Sequence, residues 1–481
     1  MECFFIAIGR RPCYNAGIHT RPTGRKESFM KLEINPLYAE HLQCLVQLPT
    51  ISTTNDEHTD WSHFAALHHA LAKFYPLIHQ NAEKTLIGNG SLLFHWKSAH
   101  PVKAPLLLMA HQDVVPAGDA SKWTHGPFSG DIDEGCLWGR GTTDCKSILM
   151  SEMEAVEALM AEGFAPDFDI YLAFGHNEEV HADPDKKGAR LIAEHLKKAG
   201  VRLGLLFDEG GDMECGRDLG YAADLAYISL GEKSSCDYLL WKDGPGGHSS
   251  MPGASTLIGD VARAVTAVED HPLPYRLTPL VRAQLKAFSV LQKGVRKEIF
   301  ADPDSHWEEL TAIARNERDI DALLRTTSAV TMASGGEQSN VLPSHAEALV
   351  NCRLLQRDTK EAVLRHIRQV ISPDVKVKLL SGEDPQTPTS TDSPEFTMVK
   401  DVIRSLYGAE TIILPALLSG GTDARYYSDV CSHIFRFGGM YWTRDWGAAH
   451  QVDEKIPVNV LSTGVRFFQA VIRAYQEKDR K

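Results

Sequence analysis

No stretch of this 481-residue sequence approaches the roughly 20 consecutive apolar residues that span a bilayer, so no membrane partner is expected. Basic residues are in deficit: 50 Lys and Arg stand against 63 Asp and Glu, a formal net charge of -13. With no cationic surplus to displace counterions from phosphates, no nucleic acid is expected as the main partner. Cys-x-x-Cys is absent. The nine cysteines (Cys3, Cys13, Cys44, Cys136, Cys145, Cys215, Cys236, Cys352 and Cys431) are odd in number and scattered, which outlines neither a disulfide framework nor a thiolate zinc site and fits a reducing, cytoplasmic compartment. His-Glu-x-x-His is missing from "WSHFAALHHALAKFYPLI", so His63, His68 and His69 read as a solvated helix face. The amino terminus has a short apolar patch followed by arginines, the reverse of a secretory signal. Residues 1 to 30 read as a disordered extension, with Met30 a candidate functional start.

The composition that remains, 43% hydrophobic and 23% charged, is that of an ordinary globular protein long enough for two domains. Its many carboxylates suit a cation. From about residue 36 short apolar runs alternate with amphipathic helical segments, an α/β pattern. Three runs, "APLLLMA", "FDIYLAF" and "RLGLLF", read as buried parallel strands, and each ends in ionisable residues: "HQD", "GHNEEV" and "DEGGD". Ligands in open α/β sheets sit beyond the carboxyl ends of strands, so one shared site is expected there. After about residue 230 the texture changes to a loop "GPGGHSSMPGAS", a long helical insertion, and the alternating strand "HAEALVNCRLL". "SGEDPQTPTSTDSPEF" then reads as a linker back to the first domain.

His111 and Asp113 stand two apart at a strand end, where the imidazole can meet a metal while the acid orients it; a purely structural pair is the alternative. Asp144 follows a glycine-rich turn in "GRGTTDCK". Glu178 with Glu179 and Asp208 with Glu209 are adjacent acids that repel unless cations or protons neutralise them, the bland alternative being solvated turns. His450 in "GAAHQVDEKIP" offers a second imidazole. Mixed imidazole and carboxylate donors suit zinc, cobalt or manganese. "GPGGHSS" lacks the Gly-Lys-Ser/Thr ending of a phosphate cradle, and its His248 is a candidate donor to a developing oxyanion. Arg353 has the fork to bind a carboxylate, against the alternative of a solvated side chain.

The segments "HQDVVP", "GRGTTDCKS", "GHNEEV", "LLFDEGG", "GPGGHSSMP", "SNVLPSHAEALVNCRLL", "SGGTDARYY" and "HQVDEKIPV" occur in the order and spacing of the co-catalytic zinc peptidase family of aminoacylase, glutamate carboxypeptidase and succinyl-diaminopimelate desuccinylase. The chain resembles above all its carboxypeptidase S and N-acyl amino acid hydrolase branch, from about residue 36 to the end. The resemblance implies a mixed-sheet α/β catalytic domain made of residues 31–230 and 383–481, interrupted by an α+β lid and dimerisation domain, 231–382. It also implies two Zn(2+) ions, with Asp144 bridging, His111 and Asp208 on one ion and Glu179 and His450 on the other. Glu178 would be the general base, Asp113 the partner of His111, and His248 the oxyanion donor, given in some relatives by the partner subunit of a homodimer. Asn340, Arg353, Gly420, Gly421 and Thr422 would contact substrate. A cis peptide is expected after Asp144, although Cys145 departs from the usual residue there.

The implied activity is hydrolysis of the amide bond before a C-terminal amino acid in a short peptide or N-acyl amino acid. Alternatives are a dipeptidase or aminopeptidase that needs a free amine, a catalytically silent metal-binding scaffold, and a dinuclear phosphoesterase, for which Arg353 would lack a purpose.

Overall fold

The computed structural model describes residues 32, 34–180, 184–443 and 446–477; the expected extension over residues 1–30 lies outside the described residues. The chain divides into two compact units, one comprising Met1–Leu230, Pro388–Ala416 and Thr422–Lys481, the other Gly231–Thr387 and Leu417–Gly421.

In the first unit the three apolar runs are the neighbouring parallel strands Ile170–Gly175, Leu106–His111 and Leu205–Asp208, and Ile434–Arg436 runs parallel beyond the last. Every residue of those three strands is buried, which is why they lack the alternation of a half-exposed strand. Antiparallel Ser91–Trp96 and Glu83–Ile87 complete one side of the ten-stranded sheet, making it mixed. On one face Leu107, Met109, Tyr171, Ala173 and Leu206 pack against Ala189, Ile192, Ala193 and Leu196 of the helix Gly188–Lys198. On the other, Phe207 meets Phe467 and Phe468 of the helix Leu461–Glu477 at centroid distances of 5.6 and 6.4 Å. Truncating a central residue such as Leu107 to Ala costs about 2–5 kcal/mol and loosens the strand that delivers His111. The helix Trp61–Phe74 buries Phe64, Leu67, Ala70 and Leu71 as its spacing predicts. His68 does not share the solvated face expected of it: its Nε2 lies 2.7 Å from Gln112 Oε1.

The second unit is built on a four-stranded antiparallel sheet in the order Thr327–Gly335, His345–Leu354, Ser234–Asp243, Lys376–Gly382. Strand His345–Leu354 alternates as read, with Ala346, Ala348, Val350 and Cys352 inward. Its inward side, with Tyr238 and Leu240, packs on Ala264 and Val268 of the helix Leu257–Asp270 and on Val363 and Ile367 of the helix Lys360–Val370. The insertion forms the short helices Pro279–Phe288, Val295–Ala301, Trp307–Ala314 and Arg318–Leu324. The boundary differs from the expected 382: the unit continues to Thr387 and recovers Leu417–Gly421. Two hydrogen bonds account for the returning segment, from Lys233 N–H to Leu418 O at 2.8 Å and from Leu417 N–H to Gln284 Oε1 at 3.0 Å.

Candidate active site

Asp144 is delivered by a turn that only glycines permit. Gly139 and Gly141 have φ of 149° and 87°, and a Cβ on either would lie 2.4 Å from Val46 Cγ1 or 2.6 Å from Val114 Cγ1. The turn wraps around the buried carboxylate of Glu454, which accepts from Gly141 N–H (3.0 Å), Thr143 N–H (2.9 Å) and Thr143 Oγ1 (2.9 Å) and pairs with Arg140 at 2.5 Å. Burial pushes the Glu454 carboxyl up, and Arg140 and the Thr143 donors act against it. Four residues after His450, Glu454 was not singled out from sequence; only its place in "HQVDEKIP" hints at a role. The helix Lys146–Ala161 begins directly after the turn, and the Asp144–Cys145 peptide is cis.

Five side chains of the first unit converge. Asp144 lies between two imidazoles, its Oδ1 2.9 Å from His111 Nε2 and its Oδ2 3.0 Å from His450 Nε2. Glu179 Oε2 is 2.9 Å from His450 Nε2, and Glu209 Oε1 is 3.4 Å from His111 Nε2. Two donor groups result, His111 with Asp144, Cys145 and Glu209, and Asp144 with Glu179 and His450.

The acid near His111, besides Asp144, is thus Glu209, while Asp208 turns elsewhere. Side chains alternate along a strand, and Asp208 falls on the face of Leu206, whose cluster includes Ala424. There its Oδ2 accepts from Ala424 N–H at 2.8 Å. Burial raises the Asp208 pKa to about 6, against Arg436 and the hydrogen bonds of Ala424 and Thr422.

The tautomer of His111 follows from its surroundings. Its Nδ1 lies 2.9 Å from Asp113 O, a carbonyl that can only accept, so Nδ1 carries the proton. Nε2 therefore turns a lone pair toward the Asp144 and Glu209 carboxylates, an arrangement that calls for a second proton or a cation. Burial opposes the imidazolium, yet the facing Cys145 sulfur and the Glu209 and Asp144 carboxylates hold the pKa of His111 well above its usual range. His450 is raised to about 10, burial being outweighed by Asp144 and Glu179. Burial and then the Asp144 charge push Glu179 up to about 8 and Glu209 well above the carboxylate range. Rings that gather protons beside acids that resist losing them form a donor set short of positive charge, and nitrogen and oxygen donors suit divalent ions. Cys145 Sγ accepts from His111 N–H at 3.3 Å, and burial pushes its thiol well up, against a thiolate role.

Asp113 meets the His111 ring chiefly through its backbone carbonyl. Its carboxylate is 3.7 Å from His111 Nδ1 and instead accepts from the backbone N–H groups of Glu178 (3.0 Å) and Glu179 (3.2 Å). Glu178 is half-buried, and its carboxylate has no hydrogen-bond partner among the described residues.

His248 and Asn340 lie together in the second unit: the short strand Gly247–His248 pairs with Val341–Leu342, and Ser249 N–H donates to Asn340 O at 3.1 Å. Ser250 N–H donates to His248 Nδ1 at 3.2 Å, which leaves the exposed ring with an Nε2–H to offer. Arg353 is half-buried on His345–Leu354, opposite Ser235 and Thr327. Gly420 lies in a bend with Ser419 and has open space around it, and Gly421 follows. Thr422, in the first unit, is buried; its Oγ1 accepts from Arg436 Nε at 2.9 Å and also bonds Asp208. Its hydroxyl is engaged within the fold.

The fold and this site define a metallohydrolase of the peptidase class. Residues 107–474 match Peptidase family M20/M25/M40, and the chain belongs to that family. It is 31% identical over 418 residues to the probable carboxypeptidase S-like 2 of Dictyostelium discoideum, covering 85% of this chain and 79% of that one. It is also 31% identical over 481 residues to the N-fatty-acyl-amino acid synthase/hydrolase PM20D1.1 of Danio rerio, covering 97% of this chain and 91% of the relative. The M20 family metallo-carboxypeptidase Sso-CP2 from Sulfolobus solfataricus shares the fold, with a TM-score of 0.66 and 17% identity over 91% of this chain and 99% of the other. Among the described residues no helix is long and apolar enough to cross a membrane.

Proposed function

We propose that this chain is a dinuclear zinc hydrolase of the amide bond before a free C-terminal amino acid, in an N-acyl amino acid or short peptide. The observation that carries the reading is the Asp144 carboxylate, one oxygen toward His111 and the other toward His450, as a bridging ligand requires. His111 and Glu209 would hold one ion and Glu179 and His450 the other, with cobalt or manganese as substitutes. Two divalent ions held there supply Lewis acidity toward water and the scissile carbonyl. Glu178, tethered by its backbone but with its carboxylate unengaged among the described residues, takes the proton from water and passes it to the leaving nitrogen.

In this reading His248 Nε2–H donates to the oxyanion, Arg353 and Asn340 bind the substrate carboxylate, and Gly420, Gly421 and Thr422 add backbone donors. The second unit acts as lid and dimerisation domain, with His248 contributed within the chain or across a homodimer. The seven described cysteines, all free thiols, support a cytoplasmic location. Both the carboxypeptidase S-like and the N-fatty-acyl-amino acid relatives have names that support a substrate ending in a free amino acid.

The test is amino acid release by zinc-replete protein from N-acylated amino acids, N-blocked dipeptides and free dipeptides, with and without chelator. Chelator-sensitive cleavage of blocked substrates is expected, and Glu178→Gln should keep its metal while losing about 10²–10⁴-fold in turnover. Cleavage of free dipeptides alone, or near-normal turnover by Glu178→Gln, would refute the reading.

A further inference from the structure

Glu178 and Glu179 are consecutive residues given different tasks, one to move a proton and the other to hold a metal, so the backbone between them must be fixed. Asp113 fixes it from one side by accepting from both N–H groups. The other side is held by Lys187. Its Nζ lies 2.5 Å from Asn177 O, 3.0 Å from Glu178 O and 2.5 Å from Val180 O. An ammonium has three donors, and here each meets one carbonyl of the same loop.

The placement of this cation argues against chance. Lys187 is the N-cap residue of the helix Gly188–Lys198, an end where positive charge is disfavoured, and the residue is only 5% exposed. Burying an ammonium is unfavourable unless its donors are matched by acceptors, and beyond the three carbonyls the charge of Lys187 also acts on the buried Asp423 carboxylate. The side chain turns back from the helix and ends among the carbonyls. Around it the loop is locked further: Asn177, at φ 56°, accepts from Gly188 N–H through Oδ1 at 3.1 Å and donates from Nδ2 to Lys186 O at 3.2 Å.

We propose that Lys187 is a positioning residue for the base Glu178, the cationic half of a clamp whose anionic half is Asp113. The proposal rests on the role given to Glu178 above. With the N–H of Glu178 on Asp113 and its C=O on Lys187, the residue from which the base projects has both backbone polar groups tied, and the carboxylate pivots from a fixed point. A misplacement of about 1 Å at a reacting group is enough to lose on the order of 10²-fold in rate.

The experiment uses metal-loaded full-length chain carrying Lys187→Met. Its kcat and KM are measured on an N-acyl amino acid and on the matching acyl-oxy acid, in which an ester replaces the amide, alongside metal content and amide hydrogen exchange of the segment 176–180. The expected result is two ions per chain, KM within about twofold, and kcat on the amide down about 10–100-fold. The ester should suffer a smaller loss because its leaving oxygen needs less help from a proton donor. Exchange in 176–180 should quicken, in metal-free protein as well. Unchanged kcat and exchange would overturn the proposal, as would equal losses on amide and ester that follow loss of metal. If Lys187→Met does not fold, Lys187→Arg, which keeps a cation but not the three-carbonyl fit, must show the same amide-weighted loss; equal losses again overturn it. Wild-type protein that cleaves neither substrate would count against the proposed function, a result distinct from a wild-type enzyme indifferent to Lys187.

Discussion

Asp113 holds the ring of His111 with its backbone, not its side chain: the carbonyl is 2.9 Å from Nδ1, while the carboxylate lies 3.7 Å from that nitrogen and bonds the amides of Glu178 and Glu179. A single residue thus sets the tautomer of a candidate ligand and anchors the loop of the candidate base, through different groups.

The two duties separate on mutation. Asp113→Ala keeps the carbonyl and so should keep the His111 metal, but it leaves two N–H groups without their acceptor. Turnover should fall about 10–100-fold with metal content unchanged. Metal analysis beside kcat decides this; loss of one ion from an otherwise folded variant would return Asp113 to the role of a ring-orienting carboxylate.

Glu209 and Asp208 should also part company. Glu209→Gln weakens the group around His111 and should lower metal occupancy to about one ion per chain, as read by elemental analysis. Asp208→Asn disturbs a buried carboxylate bonded by Ala424 N–H and should lower stability by about 1.5–3 kcal/mol with both ions retained. Equal metal loss from both variants would refute the distinction.

Away from the candidate ligands, Asp212 makes stability depend on pH. Burial pushes its carboxyl up to about 7, although Trp442 Nε1 and Met440 N–H both donate to it at 2.8 Å. Between the ordinary carboxylate range and that value the folded state binds a proton that the unfolded chain has released. The contribution is therefore complete below about pH 4 and is lost as pH rises through about 7. Asp212→Asn should flatten this fall, worth on the order of a few kcal/mol, in denaturant titrations run from pH 4 to pH 8. A wild-type slope that persists in the variant would assign the dependence elsewhere.

The parallel strands and the acids at their ends were legible because unbroken apolar runs and period-two alternation are local properties. His111, Asp144, Glu179 and His450 could each be read at a strand end or turn. What separates the placements of Asp208 and Glu209 is not local: Ala424 lies 216 residues beyond Asp208 in the chain, and nothing in "DEGG" announces it. Lys187 was hidden in "DPDKKGA", which reads as a solvated charged turn, because only the returning loop shows that three carbonyls await its ammonium. The second unit was recognised from its alternating strand, while the bonds of Leu417 and Leu418 that extend it are long-range pairings.

The turn that presents Asp144 is organised by Glu454, whose bond to Thr143 joins residues 311 apart. A ribosome that has finished the whole parallel sheet core has still not made the acceptor this turn needs. The turn therefore awaits residue 454, and nascent chains that have passed residue 209 but not residue 454 carry at least four of the five converging side chains without the scaffold that aims the shared one.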